Sequence, residues 1–363
     1  MKTRAGLFRA VGEPLGVAEV DLEEPGPGEV LVRMAAVGVC GSDLHIVKGE
    51  WPRPTPMVLG HEGSGTVEAV GEGVTSVVPG DTVVLSWAPS CGECRACREG
   101  RPARCEPLRA AIGQGTLVDG RTGLSLEGER VYRMAATGCL AERITVQEKV
   151  ALPFEGIPME EAALLGCAAL TGVGAVLFAA QQSPSVVALV LGAGGIGQFV
   201  VQGARIAGAD AIVSVDPVEG RRGQALRLGA THAVPPEALK ETMAEVQPEG
   251  ADVAYDAVCH AETTALAMRF TRGGGKVVIV GMPAVGARLD LDPFDFTNRE
   301  KTLTGTIYGS EDPAVALPLL LEHVAMGRLH LREMLGPAYP LDQVNEAIEA
   351  SLAGSPGRVV VTP

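Results

Sequence analysis

The chain has little that would tie it to nucleic acid or to a bilayer. Its 363 residues carry 30 Lys+Arg against 44 Asp+Glu, a formal net charge of −14, and the basic residues form no block. Phosphate binding needs a positive footprint, so no nucleic-acid partner is expected, and the acidity is read as serving solubility. The opening segment MKTRAGLFRAVGEP lacks the apolar stretch of a signal peptide. The longest apolar run, Leu164 to Ala180, is short for a membrane span and full of small residues. It is expected to form a buried helix rather than a membrane segment. No internal repeat and no low-complexity tail is found. Eight cysteines without a secretory signal point to a reducing compartment, hence a cytoplasmic expectation, and to metal binding rather than disulfides.

Four of those cysteines fall in one short loop. Cys91, Cys94, Cys97 and Cys105 are spaced C-x2-C-x2-C-x7-C. Four thiolates at such intervals can close a tetrahedron round one Zn²⁺ and leave no open position, the pattern of a structural site. An iron–sulfur cluster is the alternative, but the spacing departs from the ferredoxin patterns.

The length allows two domains. Before about residue 160 the texture is β-rich: Glu29–Ala36, Gly65–Val70 and Asp81–Ser86 are short, Val-rich and punctuated by Gly and Pro. Then strands alternate with helices. Val186–Leu191 runs into glycines and a helical stretch, Ile196 to Ala207. Ala211–Val215, Val253–Ala257 and Lys276–Val280 continue the series. Such alternation predicts an α/β unit with a doubly wound parallel sheet covered on both faces. A final Val-rich strand, Arg358–Val361, suggests that the tail returns to the first domain. The expected division is 1–168 with 307–363, and 169–306.

Gly192-Ala193-Gly194-Gly195-Ile196-Gly197 fits G-x-G-x-x-G between a strand and a helix. Gly192 permits the tight turn, Gly194 lets the backbone approach a pyrophosphate, and Gly197 lets the helix pack close. The free N–H groups of the helix start then face the phosphates. Asp216 ends the next strand, about twenty residues on, where a carboxylate accepts from ribose hydroxyls and repels a 2′-phosphate. That favours NAD over NADP. A plain helix N-cap is the alternative role for Asp216. Arg221 and Arg222 stand close by, and Arg221 is expected along the adenosine ribose.

Outside the cysteine loop remain Cys40 in GVCGSDLHI, Cys139, Cys167 in LLGCAALTG, and Cys259; His61 lies in GHEGSG. Together with the loop, the LGAGGIG fingerprint and the closing GRVVV strand, these motifs run nearly end to end. The chain resembles the zinc-dependent medium-chain alcohol dehydrogenases, near the liver-type and glutathione-dependent formaldehyde dehydrogenase branch. The resemblance implies a GroES-like β-rich catalytic domain beside a Rossmann domain, with NAD and two Zn²⁺ per chain as cofactors. It implies Cys40, His61 and Cys167 as ligands of a catalytic zinc, the Cys2His set known for alcohol dehydrogenase. Glu62 would sit just behind the metal, and Asp43 would accept a hydrogen bond from His61. Cys139 and Cys259 match no ligand position and are read as buried thiols.

The implied reaction is hydride transfer between an alcohol or aldehyde and C4 of the nicotinamide, with zinc as Lewis acid. Ser42 and then, through the nicotinamide ribose, His45 would carry the alcohol's proton to solvent, since histidine as a residue type titrates near neutrality. Thr171 and Ile196 would contact the nicotinamide, and Arg358 the pyrophosphate. One departure is Gly41, where liver-type enzymes often carry an arginine that grips the pyrophosphate; weaker coenzyme binding and faster NADH release are expected. By family position the substrate pocket holds Trp51, Trp87, Met134, Ala135, Met282 and Ile307. An apolar slot favours hydrophobic primary alcohols or aldehydes, benzylic, terpenoid or medium-chain. Arg109 stands where glutathione-dependent formaldehyde dehydrogenases place a carboxylate-binding arginine, and mycothiol-dependent relatives also carry a tryptophan just before the cysteine loop, so a thiol adduct of formaldehyde is kept as an alternative substrate. Trp51 stands where that branch carries an acidic residue, which argues against glutathione. A non-catalytic NAD-binding protein on the same fold is the alternative of another class. The family pairs its coenzyme domains into homodimers, here expected within 286–306.

Overall fold

A computed structural model describes residues 1–88 and 90–363. The chain forms two compact units. The first comprises Met1–Cys167, Asp312–Leu317 and Leu331–Pro363; the second comprises Ala168–Glu311 and Pro318–His330.

Among its described residues the first unit holds two sheets. The one that matters for the site is built on Glu29–Gly38, which pairs antiparallel with Gly63–Val70, Arg143–Gln147 and Arg358–Thr362. Gly63–Val70 pairs in turn with Thr82–Leu85. Most side chains of Glu29–Gly38 are buried on both faces, which suits a Val-rich central strand. Its core is a continuous cluster that includes Val30, Val32, Ile144, Val146, Val359 and Val361, all nearly inaccessible. The final strand of the chain thus packs in the middle of the first unit's sheet, beside the segment that leads into Cys40.

The second unit is a six-stranded parallel sheet among the described residues. Its spatial order is His232–Val234, Ala211–Val215, Val187–Leu191, Ala251–Asp256, Thr271–Ile279, Thr302–Gly305. Numbered along the chain this is 3-2-1-4-5-6, the doubly wound order whose switch point lies between the first and fourth strands. Val187–Leu191 is buried at every position, as expected of a strand covered on both faces. The core of this unit joins Leu189, Leu191, Val213, Ala254 and Val277.

The apolar run Leu164 to Ala180 is buried but is not one helix. A 3₁₀ turn over Leu164–Gly166 ends at Cys167, whose φ of −149° and ψ of −67° leave the helical region. A new helix, Ala168–Gly174, continues as a π-helical stretch, Ala175–Ala180. No single helix among the described residues is long and apolar enough to cross a membrane.

Candidate active site and metal centres

Three separate segments bring one donor each to a common point. Cys40 is the N-cap of the helix Gly41–Val47, with extended backbone (φ −96°, ψ 157°). His61 precedes the strand Gly63–Val70, and Cys167 occupies the break just described. Gly166 makes the last approach possible: a Cβ there would lie 2.6 Å from the Leu85 carbonyl oxygen, so no side chain fits between this turn and the sheet. The ligand atoms of Cys40, His61 and Cys167 all lie within 4.8 Å of one another, and all three residues are buried.

The surroundings hold a surplus of negative charge. Asp43 Oδ2 accepts from Cys40 N at 2.9 Å and Oδ1 from Gly60 N at 3.0 Å, so one carboxylate ties two ligand-bearing segments together. Burial pushes its pKa up, against the pull of His61. Asp43 Oδ2 stands 3.7 Å from His61 Nδ1, an ion-pair distance longer than the expected hydrogen bond, and Nδ1 has no hydrogen-bond partner. Glu62 is fully buried and pairs with Arg358 Nε at 3.0 Å. Burial lifts the Glu62 carboxyl to about 7 against the attraction of Arg358. Burial works against charge on His61, yet Asp43, Cys40 and Glu62 raise it to about 9. The hydrogen bond from Cys167 draws the Cys40 thiol well down, while that bond and burial push Cys167 up. Two thiols, one imidazole with an orphaned nitrogen and a net anionic lining fit a dication.

The second cluster is the cysteine loop. Cys91, Cys94, Cys97 and Cys105 place their sulfurs within 4.8 Å of one another and form no disulfide. Cys94 and Cys97 sulfurs are 3.4 Å apart, Cys91 and Cys97 3.9 Å. An ion about 2.3 Å from each sulfur of a tetrahedron sets them about 3.8 Å apart, so the loop fits zinc. Backbone N–H groups of Glu93 and Cys94 point at the Cys91 sulfur (3.4 and 3.3 Å) and that of Glu106 at Cys94 (3.5 Å). Such donors favour thiolate: Cys94, held first by Glu106 N, is drawn down to about 6, whereas burial pushes Cys97 up to about 12.

In the second unit the glycine loop lies at the switch point. Gly192 has φ +87° and Gly194 caps the helix Gly195–Ile206. A Cβ on Gly197 would lie 1.8 Å from the Gly192 carbonyl oxygen, so only glycine lets this helix start against the turn. Gly195 and Ile196 open the helix, leaving unpaired N–H groups of its first turn for a pyrophosphate. Asp216 is buried and accepts from Ala193 N and Val218 N, both at 2.9 Å. It therefore braces the glycine loop from the neighbouring strand, a contact that the sequence does not announce. Arg222 Nη1 donates to the carbonyls of Asp216 and Pro217 (2.9 and 2.8 Å), and Arg221 Nη1 is 3.7 Å from Asp216 Oδ2. Thr171 is buried on the helix Ala168–Gly174.

The families and relatives that match agree with this geometry. Residues 26–156 match the alcohol dehydrogenase GroES-like domain and residues 195–322 the zinc-binding dehydrogenase domain. The NDMA-dependent alcohol dehydrogenase of Amycolatopsis methanolica is 37% identical over 355 residues, 96% of this chain and 95% of its own. The S-(hydroxymethyl)glutathione dehydrogenase of Paracoccus denitrificans is 33% identical over 374 residues, 99% of this chain and 100% of its own. The chain belongs to the zinc-dependent medium-chain alcohol dehydrogenases. The crystal structure of benzyl alcohol dehydrogenase from Acinetobacter calcoaceticus superposes with a TM-score of 0.94 at 29% identity, covering 100% of this chain and 99% of that one. The dehydrogenase is an enzyme of the GroES-like plus Rossmann class whose cofactors are zinc and a nicotinamide dinucleotide.

The other expected residues of the dehydrogenase sit as follows. Ser42 and His45 are one helical turn apart on Gly41–Val47, both partly exposed. Trp87 stands edge-on to His61, ring centroids 6.4 Å apart at 81°. Trp51 belongs to the first unit's core and stacks on His45 at 4.5 Å and 13°. Met134 is buried, and Ala135 and Ala136 follow with φ of 51° and 57°. Fully buried Arg133 supports this strained turn by donating to the carbonyls of Thr122, Thr137 and Thr145. Met282 is 49% exposed and Ile307 partly buried, both in the second unit. Arg358 also donates to the Val39 carbonyl at 3.3 Å. Arg109 is exposed on the helix Glu106–Gln114. Cys139 and Cys259 are both buried thiols. Glu50, which no motif singled out, meets His45 Nδ1 through its carboxylate.

Proposed function

We propose that the dehydrogenase oxidises hydrophobic primary alcohols, or reduces the corresponding aldehydes, with NAD as coenzyme and benzylic, terpenoid or medium-chain bodies as substrates. The observation that carries this reading is a buried set of three donors, Cys40, His61 and Cys167, with the apolar ring of Trp87 against His61. Three protein donors, rather than four, are the set a catalytic zinc would take. Bound zinc supplies Lewis acidity that makes an alcohol O–H more acidic, and the dinucleotide exchanges the hydride. Cys40, His61 and Cys167 hold the ion, Asp43 fixes the first two of these segments, and the Glu62–Arg358 pair lies behind them. Trp87, with Trp51, Met134 and Ala135 of the same unit, would exclude water and take the apolar body of the substrate. Ser42 would accept the departing proton first and His45 would pass it to solvent.

Asp216 supports NAD over NADP, because Arg222 is engaged with carbonyls and Arg221 lies toward the Asp216 carboxylate. Gly192, Gly194, Gly195, Ile196, Gly197, Thr171 and Arg358 are assigned to the coenzyme. A homodimer through the edge strand Thr302–Gly305 is supported by its single parallel neighbour, Thr271–Ile279, and by exposed Val285 and Phe294 nearby in sequence. Eight free thiols support a reducing compartment.

A thiol adduct of formaldehyde is the second reading, favoured by the likeness to an S-(hydroxymethyl)glutathione dehydrogenase along the whole chain. A panel of alcohols and aldehydes with NAD and NADP, with and without glutathione or mycothiol, separates the two. The proposal expects thiol-independent oxidation of benzylic or medium-chain alcohols with NAD. Activity confined to formaldehyde plus a thiol would overturn it.

A further inference from the structure

We infer that Glu50 is a positioning residue for His45, fixing the imidazole so that Nε2 accepts the proton leaving the active site. The inference rests on the relay role proposed for His45 and extends it to a residue outside the motif GVCGSDLH.

The imidazole is held at two places, at Nδ1 and on one face. After the helix Gly41–Val47 the chain turns back, and the N–H groups of Glu50 and Trp51 both donate to the His45 carbonyl, at 2.9 and 3.2 Å. The turn brings the Glu50 carboxylate onto His45 Nδ1. It also lays the Trp51 indole flat on the ring, centroids 4.5 Å apart at 13°. Trp51 is itself anchored in the core, so the stack is fixed from below. Because Glu50 occupies Nδ1, Nε2 is the ring nitrogen this contact leaves to take up a proton.

The chemistry follows from the inventory of donors. An ionised carboxylate only accepts hydrogen bonds, so the neutral imidazole opposite it carries its proton on Nδ1 and a lone pair on Nε2. A proton arriving from the Ser42 side is taken up at Nε2 and gives an imidazolium with both nitrogens protonated. Its positive charge then faces the Glu50 carboxylate. Loss of the Nε2 proton to water restores the starting tautomer. No electrons move at this residue; the hydride leaves by the dinucleotide. Without the carboxylate the ring would also populate the opposite tautomer, whose Nε2 carries a hydrogen and cannot accept.

A purely structural role for the Glu50 carboxylate is a poor fit. The His45 and Glu50 side chains are 25% and 36% exposed, and an ion pair so screened adds little to stability. The turn itself is closed by backbone bonds that need no carboxylate.

The test uses the zinc-loaded enzyme with NAD and a primary alcohol under single-turnover conditions, so that coenzyme release does not mask the proton step. His45→Gln is expected to slow the reaction about tenfold or more, and Glu50→Gln about threefold or more with KM unchanged. The double variant should be no slower than His45→Gln alone, and added imidazole buffer should rescue both single variants. If His45→Gln is slow but Glu50→Gln is not, or if the two effects multiply, the Glu50 inference is wrong while the relay stands. If His45→Gln has no effect, the relay reading fails first and takes the inference with it. ¹⁵N spectra of histidine-labelled wild-type enzyme give a reading that needs no Glu50 variant to fold. The inference expects His45 protonated on Nδ1; a neutral ring protonated on Nε2 overturns it.

Discussion

Gly41 begins the helix after Cys40, and nothing lies within 4 Å of where its Cβ would be. An arginine can therefore be placed there without displacing a neighbour at that point. Gly41→Arg should restore a charge-assisted contact to the pyrophosphate and slow NADH dissociation by about tenfold; an unchanged off-rate in stopped-flow displacement would count against it. Asp43 offers a second residue-scale test. Asp43→Ala strands the buried N–H groups of Cys40 and Gly60, each costing about 1–3 kcal/mol, so chemical denaturation should show a loss of about 2–6 kcal/mol. At this scale the donors Cys40, His61 and Cys167 came from the resemblance to the family, carried over on GVCGSDLH, GHE and LLGCAALTG, and the three ligand atoms do lie together. Glu50 was not legible, because nothing in a sequence shows that a turn folds back on its own helix. Nor could spacing foresee that Asp43 accepts from the backbone of both Cys40 and Gly60, or that it stands 3.7 Å from His61 Nδ1.

Among the elements, the strands around the glycine loop were legible almost residue for residue: Ala211–Val215 is the segment expected, and Val187–Leu191 begins one residue after the expected start. Apolar β-branched runs bounded by glycine carry that signal strongly. The run Leu164 to Ala180 was read as one helix because periodicity in an all-apolar stretch cannot register a break. The break comes from tertiary contact. Gly166 is pressed on Leu85 in the first unit, and in the second a Cβ on Gly172 would lie 2.5 Å from Phe199 Cβ. The short helix Glu106–Gln114 was also missed, since its start is set by Cys105, a loop ligand. A further test belongs here. Glu148 Oε1 accepts from Thr75 N and Ser76 N at 2.7 and 2.6 Å, and these donors hold its carboxyl below the ordinary 4.5. A depressed folded-state pKa adds stability that is present above the unfolded value and is lost as pH falls through the folded one. Glu148→Gln should thus lower stability at neutral pH and flatten its decline below about pH 4.5. A parallel, unflattened acid limb in pH-resolved thermal melts would contradict this.

At the scale of the whole molecule, the β-rich unit and the parallel-sheet unit were both foreseen from the change of texture near residue 160. The family was foreseen because its motifs extend along nearly the entire chain. The substrate was not, because an apolar pocket is defined by shape, and several sequences of side chains give similar shapes. For the molecule as a whole we propose that the buried Cys2His set of the first unit holds one zinc ion and its cysteine loop a second. Metal analysis of the purified chain, paired with alcohol oxidation, tests that claim most directly. Wild-type protein should hold about two zinc ions per chain, and His61→Ala about one, with the cysteine loop still loaded and NAD-dependent oxidation abolished. A His61→Ala protein that keeps about two zinc ions, or that still oxidises alcohols at the wild-type rate, would contradict it.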